Sequence, residues 1–305
     1  MRKFDHLVTV VRQRTRNTDY TSTSGIPQSL FVELGNEAQE HLQTSISNIN
    51  SQLFIESASV SIVANQEAYE VPDRVLLGGK IIKVDYSYSG YDIDLYPLRR
   101  MNALDRRAYT GTPSGYLVQN SKILLNHIPN SSSGKIRISY IRQLDGLDVE
   151  RGTVNGTPSG TTLATTGMDI TSSPVNATNA TYLCVSDKHG TVLLRNAEIA
   201  SWSSPNFTLA ANVNTYLVGS ATLASLAGGS ITFGKYSTTY SKLPDACERY
   251  LLLYMQKRIL TLDESQTSIE EDAELKFVEA EIIKSLSDEV RDPQEFPVLD
   301  VELMW

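Results

Sequence analysis

The chain has 305 residues, 41% of them hydrophobic and 20% charged, and a formal net charge of −8. That is the composition of a soluble globular protein of one large domain or two ordinary ones, and no run of about 18 apolar residues predicts a membrane span. Two cysteines, Cys184 and Cys247, are too few for a disulfide framework.

The first sixteen residues, MRKFDHLVTVVRQRTR, hold five basic residues against one acid. Their apolar run is short and is followed by arginines, so no secretory leader is expected and a cytosolic compartment is. Phe4, Leu7, Val8 and Val11 predict a short amphipathic helix over 1–16. A polar link, DYTSTSG, follows. Leu30, Leu34, Ala38, Leu42, Ile46, Ile49 and Leu53 then recur at spacings of four and once three. They predict a second helix that starts near Ile26-Pro27 and runs about 25 residues.

From Phe54 to Tyr140 the period shifts towards two. Val60, Ile62, Tyr69 and Val71 read as strand residues, and KIIKVDYSYSGYDIDLYPL reads as a hairpin around Ser89-Gly90. RRMNALDRRAY has helical character. Strands are expected at Tyr116–Gln119, Lys122–Leu125 and Lys135–Ile141, joined as an antiparallel meander. Between Arg151 and about Ser230 charge nearly vanishes and Thr, Ser, Asn, Ala and Gly dominate. TYLCVSD, GTVLLRNA, NFTLA and NTYLVGS predict short strands there, and hence a small inserted all-β domain.

Ile231 and Phe233 alternate with polar neighbours, and Leu243-Pro244-Asp245 then opens a helix. Pro244 suits its first turn and Asp245 its dipole. Ala246, Tyr250, Leu253, Tyr254 and Lys257 give that helix its expected buried stripe. A last helix is predicted from about Ser268 to Val290 with two stripes, Ile269/Ala273/Phe277/Ala280 and Leu275/Val278/Ile282/Leu286. From Leu243 onward sixteen acids oppose six basic residues. The ending RDPQEFPVLDVELMW is extended by its prolines and rich in apolar residues. The expected class is α+β: a helical bundle packed with an antiparallel β-meander, built from 1–150 and 231–305, plus an inserted β domain at 151–230.

No chemistry is legible. His6, His41, His127 and His189 stand apart from one another and from the cysteines, so neither a metal nor a cofactor is expected. The two GTPSG stretches, 111–115 and 156–160, put proline where a nucleophile elbow needs serine. Gly78-Gly79-Lys80 lacks the rest of a phosphate loop, and Asp187-Lys188-His189-Gly190 fits a hairpin turn. Catalytic, cofactor-binding and metal residues are therefore expected to be none. Arg12, Arg14 and Arg16 form a basic arm that suits phosphate or a protein partner.

Several landmarks together resemble the head-to-tail adaptor (neck or connector) proteins of tailed bacteriophages. They are Tyr69, Val71, Pro72 and Asp73 before Ile81, Ile82 and Val84; Pro113 and Tyr116 before Ile123, Leu125 and Pro129; and Leu243, Pro244 and Asp245 before Tyr250 and Tyr254. The resemblance covers residues 25–145 and 235–290. It implies a virion structural protein of the neck, assembled in the host cytoplasm, not an enzyme. It further implies a homo-oligomeric ring, commonly of twelve copies in that family, under the portal protein. Such a ring meets tail or nozzle proteins and extends a channel that genomic DNA crosses without specific contact. No membrane partner is expected. Phe296, Leu299, Leu303 and Trp305 of the terminal arm are the candidates for portal contact. The alternatives are another tail or host-binding structural protein, such as a fibre or adhesin using Tyr182, Trp202, Phe207 and Tyr216, or an enzyme built into the tail.

Overall fold

The computed structural model describes residues 2–15, 26–76, 80–105, 109–170, 175–262 and 269–291. The arginine at 16, the link that follows it and the terminal arm at 292–305 lie outside them. Contacts group the chain into two compact units, Ile46–Gln143 and Met1–Ser45 with Leu144–Trp305.

In Ile46–Gln143 two four-stranded sheets form. The first comprises Ile55–Ser61 (β1), Ile81–Ser87 (β3), Tyr96–Pro97 (β4) and Lys135–Ile141 (β10), in the order β1-β10-β3-β4. The second comprises Ala68–Glu70 (β2), Arg99–Arg100 (β5), Gly115–Gln119 (β7) and Lys122–Asn126 (β8), in the order β2-β8-β7-β5. Thr110–Gly111 (β6) and Ile128–Pro129 (β9) pair separately. This is not the expected meander. The last strand, β10, lies between β1 and β3, burying Ile136, Ile138 and Tyr140 on one face while Lys135 and Arg137 on the other stay partly exposed. Val84, Ile136 and Ile138 of one sheet share a buried core with Tyr69, Tyr116, Ile123 and Leu125 of the other. The segment expected to be helical around 99–109 contributes strand β5 and one 3-10 turn, Ala103–Asp105.

The other unit is dominated by a closed barrel. Its strands are Gly152–Val154 (β12), Thr162–Thr166 (β13), Tyr182–Ser186 (β14), Val192–Ser203 (β15), Asn206–Leu209 (β16) and Ser230–Phe233 (β17), in the order β12-β13-β16-β15-β14-β17. Leu163, Leu183, Val185, Leu194, Phe207 and Ile231 fill it. Closure leaves no strand edge open, and Thr-rich strands suit a pleated surface, which accounts for the low charge of this region. NTYLVGS supplies a 3-10 turn, Val213–Tyr216, in place of a strand. Gly146–Leu147 (β11) and Ser237–Thr238 (β18) pair in parallel beside the barrel.

The expected helical bundle packed on a meander is thus corrected. The chain is mostly β, with one six-stranded barrel and four α-helices among the described residues. Phe4–Arg14 (α1) buries Phe4, Leu7, Val8 and Val11 as the spacing requires. Gln28–Ile49 (α2) buries Leu34, Ala38, Leu42 and Ile46, but the predicted stripe ends there, with Ile49 and Leu53 exposed. A 3-10 turn, Asp245–Cys247, leads into Glu248–Leu262 (α3), where α1 and α4 both make contact. Burial accordingly widens to Tyr250, Leu251, Tyr254, Met255 and Ile259, while Ala246 is exposed. Ile269–Arg291 (α4) closes the series.

Candidate interaction surfaces

The helical layer and the barrel are joined by amides. Asn36 of α2 accepts from Leu147 N at 2.6 Å and donates to Leu147 O at 2.9 Å, so it pairs with that peptide as a strand would. One turn on, Gln39 Nε2 donates to Asp145 O at 2.8 Å, and Gln43 Oε1 accepts from Leu144 N at 3.2 Å. The i, i+3, i+7 spacing lays all three on one helix face, where they satisfy the backbone of 144–147.

Beside them runs a charged seam. Arg151 Nη2 lies 2.8 Å from Asp148 Oδ1 and Nη1 lies 3.1 Å from Asp169 Oδ2. Asp148 also accepts from Phe233 N at 3.0 Å and Val149 N at 2.9 Å. Burial pushes its carboxyl above the usual carboxylate range, and Arg151 works against that rise. A neighbouring cleft of about 480 Å³ is lined by Val32, Asn36, Arg151, Phe233 and Lys235, and its walls are mainly apolar.

On the far side of α2, α3 and α4 are tied in by polar pairs. Glu37 accepts from Tyr254 Oη at 2.7 Å and pairs with Arg258, and the tyrosine hydroxyl is the main force holding its carboxyl below the usual range. His41 Nδ1 meets Tyr250 Oη at 2.8 Å, the two rings stacked 8° from parallel. Ser45 donates to Glu279 at 3.0 Å, and Arg249 bridges Glu274 at 2.7 Å. Between these flanks Leu275, Val278, Ile282 and Leu286 are buried. Of the other predicted stripe, Ala273 and Ala280 are exposed and Phe277 is 65% exposed, while the side chain of Ile269 lies outside the description.

The sheet unit carries an apolar surface of its own. Tyr86, Tyr88 and Tyr96 form an aromatic cluster with centroids 5.2, 5.4 and 5.7 Å apart. Tyr88 Oη donates to Thr112 Oγ1 at 3.0 Å and Tyr96 Oη to Pro113 O at 3.2 Å. The β3–β4 connection is held in shape by Asp94, which accepts from Ser87 Oγ and from Ser89 N. The Ser87 hydroxyl first, then Ser89, pulls that carboxyl down to about 2. On this braced loop Tyr91 is 69% and Ile93 94% exposed. Leu104 and Tyr109 are exposed on the segment between β5 and β6.

The basic residues part company. Arg12 is 2% exposed and its guanidinium lies 4.4 Å from the Phe31 ring centre, whereas Arg14 faces solvent. His6 contacts Arg2, and His127 Nδ1 contacts Thr112 O at 3.2 Å. No group of three His, Cys, Asp or Glu able to hold a metal occurs among the described residues. Asp187 caps the hairpin turn between β14 and β15 by accepting from His189 N and Thr191 N, each at 2.8 Å. Both cysteines are buried and free, and burial pushes the Cys247 thiol up to about 12. Of the aromatics weighed for ligand binding, Phe207 is buried in the barrel and Trp202 packs on it at 4.4 Å, with Tyr216 against the same core. No helix among the described residues is long and apolar enough to cross a membrane. No protein-family model matches the chain, and neither does any curated protein.

Proposed function

We propose that this chain is a structural subunit of a bacteriophage neck, a head-to-tail adaptor that forms a ring under the portal and continues the DNA channel towards the tail. The observation that carries the reading is a pair of apolar surfaces that no described residue covers, one on each unit: Phe277 exposed on α4 between Ala273 and Ala280, and the braced loop bearing Tyr91 and Ile93. Single exposed apolar residues are ordinary, but grouped ones on ordered elements suit a protein interface. A closed ring needs two different faces per subunit, because its contacts are head-to-tail. The landmarks of the resemblance also fall at points that shape the fold. Tyr69 pairs with Ile123, Tyr116 with Leu125, and Pro244-Asp245 opens the α3 segment. Portal and tail or nozzle proteins are the partners, and DNA passes without specific contact.

Co-expression with a candidate portal, followed by native mass spectrometry and electron microscopy, tests this. A ring of the chain on the portal is expected. A chain that stays monomeric with every portal offered, or that binds a glycan array, would overturn the reading in favour of a host-binding role.

A further inference from the structure

The longest open strand edge among the described residues is β1. It pairs with β10 alone. Arg142 N donates to Phe54 O and Ile62 N to Gly134 O, so the even-numbered residues between them bond to β10. Ser57, Ser59 and Ser61 therefore turn their backbone N–H and C=O groups away from the sheet, while the Ile55 N–H donates to Gln52 O. The strand has no proline, and its one charge, Glu56, lies 3.7 Å from Arg142. On its core side Ala58 and Val60 are only partly buried, although Ile138 and Ile136, which face them in β10, are fully buried. The covered face stops one strand short, and among the described residues neither a proline nor a bulge protects this edge.

We propose that this edge receives residues 298–305 of a neighbouring copy as an added strand, a contact that rests on the ring reading above. In VLDVELMW, Leu299, Val301, Leu303 and Trp305 alternate with Asp300 and Glu302. On an added strand, residues opposite Ser57 and Ser59 share their face, and the residues between them join Ala58 and Val60. The two acids then lie on the face where Arg137 stands directly across from Ser59. The four apolar side chains extend the half-covered core face. α4 ends at Arg291, and Pro293 and Pro297 fall outside the strand, in the lead-up to it. A tail given to the edge of the next copy is a heterologous contact, and repetition closes a ring.

The test uses amide hydrogen exchange at Ser57 and Ser59. A chain truncated after Pro297, given a synthetic peptide of residues 296–305, is expected to slow exchange at both amides by about tenfold or more. The same chain carrying Ser59→Pro, which removes one outward N–H and leaves the β10 ladder intact, should gain nothing. Mixing isotope-labelled truncated chain with full-length Ser59→Pro chain then asks whose tail docks, since only a neighbour's can protect the labelled edge. Unchanged exchange with the peptide overturns the proposal. Protection by peptide but not by the full-length partner overturns the neighbouring copy as occupant. Protected amides in a chain that captures no portal would instead sink the adaptor reading.

Discussion

Arg151 lies against Asp148 with Nη2 2.8 Å from Oδ1, both side chains less than a tenth exposed. Removing one member of such a pair strands the other charge. Arg151→Met is therefore expected to cost about 3–5 kcal/mol at neutral pH, read by urea denaturation. Asp148 already sits above its ordinary value, so in the variant its stability contribution is greatest in acid and is lost as pH rises through the folded value. The gap from wild type should narrow towards pH 3.8, the ordinary carboxyl value. A gap that stays constant across pH would mean the arginine acts only by packing.

Gly35 marks where α1 and α2 approach. A methyl group there would stand 2.5 Å from the Phe4 ring, and Phe4 is itself 1% exposed. Ala for Gly inside a helix normally gains about 1 kcal/mol, but overpacking a filled core costs about 1–3 kcal/mol. Gly35→Ala is expected to lower the melting temperature, and Gly35→Ala with Phe4→Leu to recover part of the loss. A rise in the single variant would show that the two helices part easily.

The helices were legible because a 3.6 period is local: α1, α2 and α4 lie where Leu7, Leu42 and Val278 place them. Strand positions such as Lys135–Ile141 were legible for the same reason. Partners were not, since a period of two does not say which strand lies alongside, and β10 sits between β1 and β3 rather than at the end of a meander. β12 and β13 went unread because GTV and TLATT alternate too weakly, and their place depends on barrel closure. The surfaces divide likewise. Two stripes on α4 were readable, but not that Leu275, Val278, Ile282 and Leu286 are buried while Ala273, Phe277 and Ala280 are exposed. Asn36, Gln39 and Gln43 had a readable spacing, yet the backbone they serve lies more than a hundred residues away.

Asp94 sets a pH response in the sheet unit. Its folded value of about 2 lies below its ordinary 3.8, so what it contributes to the Ser87–Ser89 turn is present above pH 4 and lost as pH falls towards 2. The Ser89 amide, which donates to Asp94 at 2.8 Å, is expected to shift in NMR across that window, ahead of global unfolding. In Asp94→Asn the shift should disappear. A Ser89 amide that does not move below pH 4 would show that the loop is braced by the tyrosine cluster alone.

The two apolar surfaces give the most direct check on assembly. Phe277→Ser on α4 and a paired Tyr91→Ser, Ile93→Ser change on the β3–β4 loop replace exposed side chains, so each should move stability by no more than about 0.5 kcal/mol. Association should respond differently. Burying a large apolar side chain at a contact is worth about 1.5–3 kcal/mol, so one lost anchor weakens a single subunit contact by roughly tenfold to a hundredfold. The loss repeats at every contact around a ring. Sedimentation velocity is expected to show both variants as folded monomers at concentrations where the parent chain assembles, with melting temperatures unchanged. Either variant assembling as the parent does would remove its surface from the subunit contacts. Both doing so would leave the proposed ring without the observation on which it rests.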